Sequence, residues 1–121
     1  MSSGLSPGAQ AFIDGLHKCG IAHEVSGNAL VFPLTDVVGC YHGQAVKTGV
    51  ALDELNGWPM TPPHWVHLPA DIMVGPTNSR PSLIEGWLMH SRNVAHWGNA
   101  KHPVQAWLAH VQSVLDVAVA A

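Results

Sequence analysis

The densest run of reactive side chains in this sequence is His90-Ser91-Arg92, with His96 five residues beyond the serine. A serine hydroxyl is a weak nucleophile until a base within roughly 3 Å takes its proton, and an imidazole of pKa near 6.5 can do so close to neutral pH. A guanidinium such as that of Arg92, or a pair of backbone amides, can stabilise the oxyanion that develops when a hydroxyl attacks a carbonyl. Together these residues supply the parts for acyl transfer. Neighbours on a strand point to opposite faces, so His96, beyond a turn, is the better placed base and His90 the worse. The same residues also have a structural reading. Ser91 is then a turn or capping hydroxyl, His96 bonds across a turn beside Trp97, and Arg92 is a solvated charge or a partner for Glu85 or Asp71.

Other chemistries are poorly supplied. Cys19 and Cys40 are the only cysteines, too few for a disulfide scaffold or a thiolate zinc cluster, and a reduced, cytoplasmic protein is the simplest reading. Cys19 falls near the end of a helix and reads as a small buried or half-buried residue rather than a nucleophile. Cys40 would be reactive only if exposed near positive charge, and Lys47 is its nearest cation in sequence. The nine histidines show no His-Glu-x-x-His pattern and read as scattered surface residues, with no metal and no cofactor expected. A net charge of −3 with five Lys and Arg argues against nucleic acid as a partner. No apolar run approaches 18 residues and the start lacks a signal-peptide pattern, so neither a membrane span nor standard secretion is expected.

The elements that must position these groups follow from periodicity and punctuation. With 121 residues, 47% of them apolar, the chain 1–121 is expected to form a single domain with a sizeable core. Ser6 followed by Pro7 is an N-cap with proline at the first helical position, and Phe12, Ile13 and Leu16 then recur at helical spacing, predicting a helix over 7–19. Ile21 to Val25, the turn Ser26-Gly27-Asn28 and Ala29 to Phe32 read as a hairpin. Ala45 to Leu55 reads as a third strand and His64 to Leu68 as a fourth, with Trp65 and His67 on one face and Val66 and Leu68 on the other. Between them Pro59, Pro62 and Pro63 fix a stiff turn flanked by Trp58 and Trp65. Pro69 to Pro81 reads as a long loop, and 82–92 fits a short helix or an extended segment equally. The strongest helix signal is Pro103 followed by Val104, Trp107, Leu108, Val111, Val114, Leu115 and Ala118.

This order resembles the ubiquitin-conjugating-enzyme (UBC) superfamily. Trp58-Pro59-Met60-Thr61-Pro62-Pro63 is similar to the family's Tyr-Pro-x-x-Pro-Pro turn between its third and fourth strands. Downstream, Gly86, Met89 and Trp97 keep the family spacing of a glycine, the catalytic cysteine and a tryptophan, with Met89 in the cysteine's place. Trp87, His90-Ser91-Arg92, His96 and Trp97 resemble a pattern of divergent bacterial conjugating-enzyme-like proteins. The family's His-Pro-Asn motif is absent. The resemblance implies an α+β, UBC-like fold: an N-terminal helix, a four-stranded antiparallel meander, a long loop and a C-terminal helix. It also implies a ubiquitin-like modifier protein and an activating enzyme as partners, in a bacterial conjugation pathway such as one for defence against phage.

A thioether cannot form the thioester this family normally uses. Two functional readings follow from the resemblance: a cysteine-less variant that binds a ubiquitin-like modifier or a partner enzyme, or an acyl transferase that carries the modifier as an oxyester on Ser91 with histidine assistance. Trp87, Trp97 and Trp107 fall where the family packs its last helix against the sheet, and are expected in the core.

Overall fold

The computed structural model describes residues 5–35, 43–74, 78–94, 97–99 and 101–120. Helix α1 runs Pro7–Lys18, started as the cap signals predict: Ala9 donates its N–H to Ser6 Oγ at 3.1 Å, and Pro7 sits in the first turn. Its apolar face of Phe12, Ile13 and Leu16 is buried. Strands β1 (Glu24–Ser26) and β2 (Ala29–Thr35) form the expected hairpin, with Gly27 supplying the positive φ of 60° that its turn requires.

The third strand is shorter than its apolar pattern predicts. β3 covers Ala45–Ala51, and Leu52–Leu55 winds instead into a 3-10 turn that buries Leu55. The proline turn follows, containing a cis Trp58-Pro59 bond, and leads into β4 (Trp65–Pro69). Strands β1 to β4 thus lie in sequence order with the proline turn at their third connection.

The expected four-stranded sheet is too small. Residues 69–81, read as loop, contain β5 (Ile72–Met73) and β6 (Ser79–Pro81), and the ambiguous segment resolves as β7 (Trp87–Ser91). The antiparallel sheet has six strands in the order β1-β2-β3-β4-β7-β6. β5 pairs separately with the terminal strand β8 (Val119–Ala120). β6 is an exposed edge carrying Pro81, which an edge tolerates, and backbone pairing to β7 defines it rather than any apolar alternation.

Helix α2 (Pro103–Asp116) joins α1 on one face of the sheet. Between them lie Phe12, Leu16, Leu30, Phe32, Val50, Val66, Leu68, Trp107, Val111 and Leu115, all buried, each large side chain contributing roughly 2 to 3 kcal/mol by removal from water. The helices cross closely because Gly15 has no side chain: a Cβ there would lie 2.3 Å from Val104 Cγ2. Of the tryptophans expected in the core, Trp107 is fully buried, whereas Trp87 and Trp97 are half-buried. Trp97 packs on buried Trp58 with ring centroids 5.2 Å apart and donates Nε1–H to the Pro59 carbonyl at 2.8 Å, which ties the proline turn to the chain leading into α2.

Candidate functional site

Sheet register decides which reactive groups meet. Val66 lies opposite His90 and Leu68 opposite Leu88, and these residues face the helices. Trp65 opposite Ser91, and His67 opposite Met89, occupy the other face, which we call the outer face. Trp65 and His67 therefore share a face, as the period of two predicts.

Ser91 does meet a histidine, from a position the local pattern did not single out. His64 Nε2 lies 2.5 Å from Ser91 Oγ, 27 residues away in sequence and adjacent in space because β4 and β7 pair. The backbone closes the same junction, with the Arg92 N–H donating to the His64 carbonyl at 3.2 Å and the Ser91 N–H to the Asn78 carbonyl at 2.8 Å. Ser91 is half-buried, and the contact is open to solvent.

His90 points the other way, as alternation requires. Its ring is wholly buried beneath the helices, and Nδ1 pairs with Ser79 Oγ at 2.7 Å. Burial first, then the positive charges of His67 and Arg92, hold its pKa below the ordinary histidine value. On α2, His110 is depressed in the same direction by burial and by Arg92. Arg92 thus acts electrostatically on two helix-side histidines, and its Nε is buried without a hydrogen-bond partner among the described residues. His96 and Cys40 lie outside the described residues. Met89, in the position where the resemblance places a thiol, is half-buried at the middle of β7 on the outer face. The Cys19 thiol is at the end of α1, in a groove of about 400 Å³ between α1 and α2 lined also by Lys18 and Lys101, on the helix side of the sheet.

A second serine–histidine pair occupies the outer face and had no local signature. His67 Nδ1 lies 2.7 Å from Ser82 Oγ, and His67 Nε2 lies 3.8 Å from Glu54 Oε1. His67 is 1% exposed although it faces away from the helices. The β6–β7 connection folds over it, and Gly49, opposite His67 in β3, leaves the room: a Cβ there would approach Ile84 Cδ1 to 3.2 Å. Glu54, in the 3-10 turn, binds the start of β4 through Oε2, which accepts the N–H of His64 at 2.7 Å and of Trp65 at 3.3 Å. Burial alone would raise the Glu54 carboxyl, but the His67 ring and those two N–H groups outweigh it and hold its pKa below the usual value. One carboxylate therefore braces both pairs. Beside them, the Arg80 guanidinium lies 5.8 Å from the Trp65 ring centroid.

Among the described residues, no group of three or more His, Cys, Asp or Glu side chains is placed to hold a metal ion. No helix among them is long and apolar enough to cross a membrane. No family model, curated protein or solved structure matches this chain.

Proposed function

We propose that this chain is a ubiquitin-conjugating-enzyme-like module of a bacterial ubiquitin-like conjugation pathway, and that it works by binding a ubiquitin-like modifier or its activating enzyme rather than by carrying a thioester. The observation that carries this reading is Met89. It sits mid-strand on the outer face, while the described thiol, Cys19, is on the helix side of the sheet. A thioether has no proton to lose and cannot be the acyl carrier. The outer face of β4, β7 and β6, opposite α1 and α2, presents Trp65, Met89 and exposed Arg80, and so offers an aromatic, apolar and cationic surface to a protein partner.

Titrating isotopically labelled protein with the modifier tests this. The expected result is chemical-shift change confined to β4, β7 and β6, and affinity at least about tenfold weaker for Arg80→Glu. Binding centred on the helices, or undiminished in the variant, would contradict it.

A second reading, that the modifier is carried as an oxyester on Ser91, is favoured by the 2.5 Å approach of His64 Nε2 to the serine hydroxyl. It predicts a covalent adduct that survives thiol reductant, is cleaved by hydroxylamine, and is lost in Ser91→Ala and in His64→Gln.

A further inference from the structure

We propose that Ser82 is a reactive serine, activated by His67 and Glu54 and able to accept an acyl group from an activated ester. Three groups from three separate segments converge here. Ser82 comes from the β6–β7 connection, His67 from β4 and Glu54 from the 3-10 turn after β3. The distances order them as hydroxyl, imidazole and carboxylate: Ser82 Oγ to His67 Nδ1 is 2.7 Å, and His67 Nε2 to Glu54 Oε1 is 3.8 Å. Nucleophile, base and orienting acid are arranged in this sequence in serine acyl-transfer sites on unrelated folds.

The protonation pattern follows from the partners. His67 Nε2 is buried and has no hydrogen-bond partner among the described residues, and the Glu54 carboxylate lies 3.8 Å from it. In the tautomer that carries its proton on Nε2, toward that carboxylate, the ring accepts the Ser82 O–H at Nδ1. Ser82 Oγ also accepts the Ile84 N–H at 3.0 Å, which fixes the oxygen against rotation. The N–H of Leu83, the residue after the nucleophile, donates to no described residue and is available for an oxyanion, the role that backbone amide fills in nucleophile elbows. Gly86, with φ of 81°, closes this tip, whose Leu83, Glu85 and Gly86 are exposed.

The step balances without any further reagent. Ser82 Oγ attacks the ester carbonyl as its proton passes to His67 Nδ1, and Glu54 stabilises the resulting imidazolium. Collapse of the tetrahedral intermediate breaks the bond to the alkoxide or thiolate leaving group, which departs with the proton from His67. Hydrolysis of the acyl-serine by water restores the starting state. This site is independent of the binding reading and of Ser91.

The test is incubation of the full chain with p-nitrophenyl acetate, and in parallel with a fluorophosphonate, followed by peptide mapping. One group per chain is expected on Ser82, absent in Ser82→Ala, and slowed about 100-fold or more in His67→Gln of verified fold. Glu54→Gln, acting through His67, should lower the maximal labelling rate about tenfold without changing the reagent concentration at half-maximal rate. A folded protein unlabelled at Ser82, or a folded His67→Gln that labels at the wild-type rate, would overturn the proposal. If His67→Gln does not fold, an unchanged rate in Glu54→Gln overturns it instead. Labelling at Ser91 alone would also overturn it while supporting the oxyester reading.

Discussion

Two serine–histidine pairs lie on the same sheet face and share one carboxylate, yet they differ in what surrounds the ring. His64, at the entrance to β4, contacts Ser91 in the open, and Glu54 holds only its backbone. His67, three residues on, is sealed under the β6–β7 connection with Glu54 facing the ring itself. The first ring can swing away at little cost. The second is committed to its place by packing, by the serine and by the carboxylate, so its mutation should be felt throughout the fold.

Breaking the buried pair should produce the largest effect. His67→Ala leaves a cavity and strands the Ser82 hydroxyl, and should cost about 3 kcal/mol in urea unfolding. The matching change at the exposed pair, His64→Ala, should cost under about 1 kcal/mol. Equal losses would erase the distinction drawn between the two. Glu54→Ala removes the acceptor for two backbone N–H groups and the partner of His67, and should cost about 2 kcal/mol while disturbing both pairs in side-chain NMR spectra. A smaller effect is expected from Gly49→Ala, where the new methyl would lie 3.1 Å from the Leu30 carbonyl oxygen and 3.2 Å from Ile84 Cδ1: about 1 kcal/mol, with faster amide exchange in 82–86 and no change at His64.

Acid should sharpen the contrast between the two sheet faces. His90 and His110, on the helix side, have folded pKa values below 6.5, so the unfolded chain binds protons first as pH falls. Their contribution to stability is complete above about pH 6.5 and is lost as pH drops from there toward the lower folded values. Glu54 adds a further loss below about pH 4.5, again because its folded value is the lower one. The melting temperature should therefore fall between pH 7.5 and 5.5, and His90→Gln should flatten that slope. A melting temperature that rises on acidification would contradict the assigned directions.

The features legible in the sequence were those with local causes. The Ser6–Pro7 start of α1, the Gly27 hairpin and the apolar stripe of α2 each state their structure within a few residues. β6 could not be read this way, because Ser79, Arg80 and Pro81 are all exposed and become a strand only by pairing with β7. β7 was ambiguous because Leu83, Ile84, Trp87 and Leu88 suit either period, and the choice is made by β4 alongside. The site divides similarly. Ser91 stood out beside His90 and Arg92, but alternation sends His90 to Ser79, and the imidazole that reaches Ser91 arrives from the proline turn. Glu54, His67 and Ser82 are brought together by register and a folded-over loop, neither of which has a signature in neighbouring residues.

The most direct test of the thiol-free account is incubation of the protein with its cognate modifier, activating enzyme and ATP, followed by electrophoresis with and without reductant. The account predicts measurable modifier binding and no reductant-sensitive adduct, and any covalent product should instead yield to hydroxylamine. A reductant-sensitive adduct that maps to Cys19 or Cys40 would contradict it.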